Sequence, residues 1–242
     1  MSEIYYTKQT PSTNKLMREI LSQSHKDEGF VVYTDFQSDG KGHGNNKWES
    51  EPSKNLLFSL LFYPKHILAS EQFILSQIVS IALVEILSEH CDNIKIKWPN
   101  DIYVNDKKIA GMLIENTLLG NSINRSIVGI GLNLNQLKFL SDAPNPVSLK
   151  QITGKSINRL SILKNITERI NFYYKNFDYS KIGTLYFSKL YRNDGFYPFR
   201  TNDEVFMAKI TEIATDGKMV LQLKDDSVRE YGFKETEFVI NP

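Results

Sequence analysis

A single cysteine, Cys91, stands in 242 residues, so no internal disulfide can form and a secreted, cystine-stapled framework is excluded. Histidine is almost as sparse. His25, His43, His66 and His90 are scattered, and without a second cysteine or an HxxxH pair they offer no zinc ligand set. Excess charge of either sign is missing too. Lys plus Arg (29) against Asp plus Glu (28) leaves +1, so no global positive field exists to hold nucleic acid, and any affinity for phosphate has to be local. The opening residues, MSEIYYTKQT, lack the basic region and apolar stretch of a signal peptide. No apolar run is read as approaching the ~20 residues that span a bilayer. Repeats and low-complexity tracts are absent, as is the GxxxxGK[ST] spacing of a Walker loop. These absences together predict a reduced, cytoplasmic chain with no membrane attachment.

What is present is an ordinary globular composition, 41% hydrophobic and 24% charged, able to bury a real core. A length prior of roughly 150 residues per domain suggests one large domain with a small appendage. Ser12-Thr13-Asn14 precede Leu16, Met17, Ile20 and Leu21, a helical period behind N-cap residues. Residues 29–36 and 55–63 are strand-like apolar runs, and Ile67 to Leu87 reads as a long helix. Four β-like pieces follow, at 94–98, 102–104, 108–117 and 126–134, separated by the hairpin signals Asn105-Asp106 and Gly120-Asn121. Hairpins rather than βαβ crossovers point to an α+β fold with a largely antiparallel mixed sheet flanked by helices. Residues from about Ser161 to Leu190 read as helix, with Ile162, Ile166, Ile170 and Tyr173 on one face. After Asp194-Gly195 short alternating segments (204–213, 218–223, 228–233, 237–240), broken at Asp216-Gly217 and Asp225-Asp226, indicate a small all-β unit. The expected division is 1–195 for the main domain and 196–242 for this unit.

Three constellations bear on chemistry. In the first, from Gln37 to Trp48, Gly40, Gly42 and Gly44 alternate beside Lys41, His43 and Lys47. Bare backbone there can turn its N–H groups on an anion, or the stretch is simply a hairpin loop. The second is Lys97-Trp98-Pro99-Asn100-Asp101, followed by Lys107-Lys108-Ile109-Ala110-Gly111. Pro99 closes a strand, and Asn100-Asp101 suit a turn. Lys108, opening an apolar strand, is a candidate for neutralising a carboxylate or phosphate. In the third, Gly129-Ile130-Gly131-Leu132-Asn133-Leu134-Asn135, alternate glycines mark close approach by a ligand or by another part of the chain. Asn133 and Asn135 are expected on the glycine side.

Taken in order, these blocks resemble the biotin–protein ligases within the wider biotin and lipoate ligase family. The resemblance rests on Ser12-Thr13-Asn14, Gln37 before the glycine loop, KWPND at 97–101, Lys108-Ile109-Ala110-Gly111 with Glu115, Gly129-Ile130-Gly131-Leu132-Asn133, and Asn145-Pro146-Val147-Ser148-Leu149. It covers nearly the whole chain. It implies a class II synthetase-like catalytic domain with a small barrel-like β appendage.

The implied reaction has two steps: biotin and ATP form biotinyl-5′-AMP, and a lysine of a biotin carboxyl carrier domain, part of a biotin-dependent carboxylase, then takes the acyl group. The resemblance assigns catalysis to Lys108, Asp101 and Lys41, with Asp101 either orienting Lys108 or raising the basicity of the incoming lysine. Biotin binding is assigned to Ser12, Thr13, Gln37, Gly40, Lys41, His43, Lys108, Gly129 and Gly131. ATP or the adenylate is assigned to Lys41, His43, Trp48, Lys97, Asn100 and Asn133, with Trp48 either closing over the ligand or anchoring its loop. Mg²⁺ is expected on phosphate oxygens rather than in a protein-built metal site.

One departure stands out. The family's loop usually reads G-R-G-R-x-G-R-x-W, whereas this chain has Lys41, His43 and Asn46 at the arginine positions. Lysine keeps a point charge without the bidentate fork, and histidine is largely neutral at pH 7. The expected result is weaker retention of the intermediate, or compensation by Lys47. The ligase motif beginning at Ser12 leaves no room for a DNA-binding helix-turn-helix, so no nucleic-acid partner is expected, and the protein is expected as a monomer or homodimer. The competing readings are a lipoate or octanoate ligase or transferase of the same fold, and a non-catalytic biotin-binding protein.

Overall fold

The structure, a computed structural model, describes residues 3–44, 46–141, 145–202 and 204–240. Seven strands form the principal sheet: β1 (Ile4–Thr10), β2 (Val31–Gln37), β3 (Leu56–Phe62), β4 (Ile94–Lys97), β5 (Asp101–Val104), β6 (Lys107–Leu119) and β7 (Ser122–Leu132). They lie in the order β1-β2-β3-β7-β6-β5-β4, with β1 parallel to β2 and the other neighbours antiparallel. The α+β expectation and both hairpins hold, and Asn105 (φ 52°) and Gly120 (φ 60°) supply the left-handed turn positions.

β3 explains the layering. All seven of its residues are buried, so alternate side chains serve two different faces. Leu56, Phe58, Leu60 and Phe62 join the large core on one side, together with α2 (Phe73–Ser88) and α4 (Arg159–Lys175). Leu61, on the other side, packs with Met17 of α1 (Thr13–Gln23), Phe30, Val32 and Ile127. Ser59 is the one polar side chain of β3, and it lies on the α1 side.

Several sequence expectations are corrected, and some elements were not foreseen. β1 was not anticipated because it is an edge strand with almost no buried face, which leaves no apolar period. The helix expected from Ile67 begins only at Phe73, after a 3₁₀ turn at Ala69–Glu71. The buried Ile67 instead accepts the Ile123 N–H at 3.1 Å, which draws its backbone toward the start of β7. Ala69–Ser88 is moreover long and apolar enough to cross a bilayer, contrary to the expectation that no run approaches that length, but 72% of its window is buried within the protein. The helix expected over 161–190 is two helices, α4 and α5 (Tyr179–Ser188), and Asp178 Oδ1 caps the second by accepting the Lys181 N–H. The buried row of α4 is Ile162, Ile166, Ile170 and Tyr174, while Tyr173 turns aside to donate its hydroxyl to Glu85. A short helix, α3 (Leu149–Thr153), also went unforeseen; Ser148 and Gln151 close a capping box at its start.

The C-terminal segments form a second, antiparallel sheet in the order β11-β10-β9-β8-β12: β8 (Tyr197–Thr201), β9 (Glu204–Ile213), β10 (Met219–Leu223), β11 (Val228–Tyr231) and β12 (Glu237–Phe238). β8 was not anticipated. Phe199, Ala208, Ile210, Met219 and Leu221 belong to the same buried cluster as α2 and the main sheet. Gly217 is the contact point. Its φ is 92°, Phe73 Cγ lies 2.7 Å from where a Cβ would be, and its carbonyl accepts the Trp98 Nε1–H at 2.9 Å.

Candidate active site

Strand register builds the site. Asp101 pairs with Gly111, Gly111 with Gly131, and Gly131 with Leu57, so two glycines lie side by side across neighbouring strands on the α1 face. Gly129, opposite Ser59 and Leu113, widens the bare strip. The result is a trough in the sheet. It forms the floor of a cavity of about 510 Å³, well inside the range of small-molecule sites.

Lys108 reaches this face through a register shift between Ile102 and Tyr103, which leaves Ile109 as the extra residue. Simple alternation would set Lys108 opposite to Gly111. The bulge instead pairs Lys108 with Tyr103 and turns it onto the Asp101 side. Its ammonium lies 2.6 Å from Asp101 Oδ1 and 5.7 Å from the centre of the Trp48 ring. Lys97, opposite Asp101 on β4, runs between Tyr103 and Phe238, its Nζ 5.3 Å and 5.1 Å from the two ring centres. Burial pulls the Lys97 ammonium below the ordinary lysine range, while Asp101 opposes the shift. Asn100 Nδ2–H donates to the Met112 carbonyl at 2.8 Å and so fixes the turn that presents Asp101.

At the α1 end, Ser12 occupies the N-cap position, yet its side chain makes no capping bond. Gln37 does that work from β2: its Oε1 accepts the Thr13 N–H at 2.8 Å and the Thr13 hydroxyl at 3.1 Å. Behind them, the fully buried Ser59 hydroxyl lies 2.8 Å from Thr13 Oγ1 and 2.6 Å from Asn14 Oδ1. Asn14 Nδ2–H donates to Glu115, which also meets Arg18. Ser12, Thr13 and Gln37 therefore enter the cavity on a polar scaffold running back to Glu115.

The glycine loop is a small hairpin. Lys41 and Lys47 form an antiparallel bridge, Gly42 N–H donates to Asn46 O, and Trp48 N–H donates to Gly40 O, both at 2.8 Å. The Gly42 amide is thus spent inside the turn, as in the hairpin alternative. Asn45 lies outside the described residues. Gly40 does not line the cavity; Trp48 O lies 2.7 Å from where its Cβ would be. Trp48 fills the trough, its Nε1 2.7 Å from the virtual Cβ of Gly131, while Asn14 Cγ stands 2.9 Å from that of Gly129. The glycines are therefore covered by side chains as well as bordering the cavity.

His43 leaves the loop to pack on Phe233 of the second sheet, ring centres 4.3 Å apart. Burial, reinforced by the Lys234 charge, holds its imidazole below the ordinary histidine range. At the end of β7 one expectation is corrected, that Asn135 shares the glycine side. Asn133 is buried without lining the cavity, its backbone bonded to Ile109 and Leu149. Asn135 points elsewhere, exchanging hydrogen bonds with the Ile157 backbone.

Of the residues singled out in sequence, Ser12, Thr13, Gln37, Lys41, His43, Trp48, Lys97, Asn100, Asp101, Lys108, Gly129 and Gly131 come together around one cavity. Sequence reasoning missed Ser59, Tyr103, Phe233, Lys234, Glu237 and Phe238. Ser59 had a signal, as the one hydroxyl in an apolar strand, whereas the second-sheet residues had none. Among the described residues the lining holds five lysines (41, 47, 97, 108 and 234) against two carboxylates, Asp101 and Glu237. The chain's missing global charge is replaced by a local one. No group of three or more metal-ligating side chains occurs among the described residues.

The α+β sheet thus carries a glycine-floored cavity walled by lysines. The family model "Biotin/lipoate A/B protein ligase family" matches residues 6–133, and the chain belongs to that family. It is 32% identical over 161 residues to the bifunctional ligase/repressor BirA of Bacillus subtilis, an alignment covering 64% of this chain and 48% of that protein. It is also 32% identical over 137 residues to the human biotin–protein ligase, covering 54% and 19% respectively. The chain thus spans about half the length, or less, of these curated relatives. A solved biotin protein ligase from Aquifex aeolicus, in complex with biotin and ATP, superposes with a TM-score of 0.80 at 25% identity, covering 98% of each chain.

Proposed function

We propose that this protein is an ATP-dependent biotin–protein ligase. The carrying observation is the single cavity in which Lys108, paired to Asp101, faces the Ser12–Thr13–Gln37 cluster across the glycine trough. The relatives' names, including the Aquifex aeolicus complex with biotin and ATP, support the same reading.

In the first step a biotin carboxylate oxygen attacks the α-phosphorus of ATP. A phosphorus–oxygen bond forms, the bond to the bridging oxygen breaks, and pyrophosphate leaves. Two anions must meet, so the work is charge compensation and in-line placement. Lys108 neutralises the carboxylate and the developing charge on the α-phosphate, while Asp101 holds its ammonium over the trough. Ser12, Thr13 and Gln37 present donors and acceptors to the ureido head. A carboxylate nucleophile needs no general base.

In the second step the ε-amine of a carrier-domain lysine attacks the acyl carbon and AMP departs. That amine must arrive unprotonated, and Asp101, the cavity carboxylate paired with Lys108, is placed to accept its proton. Mg²⁺ would ride on phosphate oxygens, lowering their charge, with no protein cage required. The partner on this reading is the biotin carboxyl carrier domain of a biotin-dependent carboxylase, the setting is the cytoplasm, and residues 196–242 act as a small appended unit.

Pyrophosphate release measured with biotin, lipoate and octanoate in turn tests the proposal. Turnover with biotin and not with the fatty acids is expected. Turnover with lipoate or octanoate alone would move the chain to the other branch of its family, and binding of biotin without turnover would make it a biotin-binding protein.

A further inference from the structure

We propose that Lys234, a residue of the second sheet, binds the ATP phosphates and supplies there the charge that the glycine loop lacks at His43. The inference rests on the ligase reading. If the acid lies at the α1 end of the cavity, the nucleotide is left the end walled by Phe233, Glu237 and Phe238.

Lys234 sits in the turn joining β11 to β12, in the left-handed region at φ 65°, an unusual backbone for a residue with a side chain. Phe233 anchors that turn between His43 and Trp98, with ring centres at 4.3 Å and 5.9 Å. The anchored turn carries the ammonium to the glycine-loop tip, 2.6 Å from where a Gly44 Cβ would stand. A Cβ at 44 would make the ammonium give up that position.

The neighbouring carboxylate does not answer this charge. Glu235 folds back so that its Oε2 accepts the Gly232 N–H at 2.6 Å. Among the described residues no ion pair engages Lys234. An unpaired ammonium lining the same cavity as Lys41 and Lys47 adds to a positive field that a polyanion would neutralise. The loop has histidine where the family has arginine, and the adjacent sheet delivers a lysine to the same place. The second sheet is then a wall of the nucleotide site as well as a structural appendage.

The test is calorimetric titration of the full-length protein, with biotin present, by α,β-methylene-ATP. Lys234→Ala is expected to raise the Kd of this analogue about tenfold, as for loss of one charge-assisted hydrogen bond. Lys234→Arg should restore it, and biotin affinity without nucleotide should stay within twofold. In a His43→Arg background, where the loop carries its own charge, Lys234→Ala should cost less than threefold. A cost below threefold in the His43 background, or a wild-type protein that does not bind the analogue, overturns the proposal. Binding that depends on Lys234 without pyrophosphate release from ATP refutes the ligase reading and leaves the anion site standing.

Discussion

The ammonium of Lys108 lies 2.6 Å from the Asp101 carboxylate, although alternation along β6 would send the lysine to the opposite face of the sheet. The extra residue at Ile109 makes the pair possible, and both partners are more than two-thirds buried. Removing the amine should therefore damage chemistry without unfolding the chain. Lys108→Ala is expected to lower the rate of pyrophosphate release at least about 100-fold, the usual cost of deleting one preorganised charge. The thermal midpoint should fall, because the Asp101 carboxylate is left part-buried without its partner, while the chain stays folded at the assay temperature. Asp101→Asn should cost less in this step, since it frees the ammonium rather than removing it. Near-normal turnover in Lys108→Ala would take this residue out of the mechanism.

Trp48 and Gly131 share one volume. A Cβ at 131 would lie 2.7 Å from the indole Nε1, far inside contact distance. Gly131→Ala should expel the indole from the trough and cost about 1–3 kcal/mol by overpacking. Tryptophan emission should shift to the red, because Trp98, the other tryptophan, stays buried. An unshifted spectrum would show that the indole does not depend on the bare backbone.

Ser59 carries no ligand contact in this account, yet its hydroxyl lies against both Thr13 and Asn14. Ser59→Ala leaves the buried Asn14 Oδ1 without that donor, a loss of about 1–3 kcal/mol. The expected signature is a raised KM for biotin with kcat nearly unchanged, because Ser59 positions the Ser12–Thr13 turn rather than the reacting atoms. An equal fall in kcat would contradict that division.

His43 resists protonation, first through burial and then through Lys234. Its imidazole is thus held below the ordinary histidine value of about 6.5, so the unfolded chain binds this proton more readily than the folded one. The stability from this residue is fully present above that value and is lost as pH falls through the folded one. Lys234→Ala should raise the His43 pKa, followed by NMR of the imidazole carbon-bound protons. His43→Arg should slow escape of the adenylate about tenfold, as one added charge-assisted contact would. Faster or unchanged escape would place the side chain away from the intermediate.

Much of this was legible in sequence because it is local. The hairpins at Asn105 and Gly120, the end of β4 before Pro99, and the glycines at 129 and 131 each follow from a few consecutive residues. Other features depend on pairing that no window shows. That Gly111 sits beside Gly131 is a fact of register, and the bulge that aims Lys108 interrupts the very periodicity used to read strands. β1 was invisible because it buries almost nothing, and α2 began late because Ile67 is tied to Ile123. Lys234 reaches Gly44 from nearly 200 residues away along the chain, brought there by tertiary packing such as that of Phe233 on His43.

The central claim is that one cavity joins a vitamin's carboxylate to AMP. Its most direct test is to incubate the protein with biotin and ATP labelled at the α-phosphate, then separate the products by chromatography. A labelled species carrying both biotin and AMP, formed by the wild type and missing with Lys108→Ala, is the predicted result. Labelled AMP or unreacted ATP alone, at saturating biotin and Mg²⁺, would contradict the account.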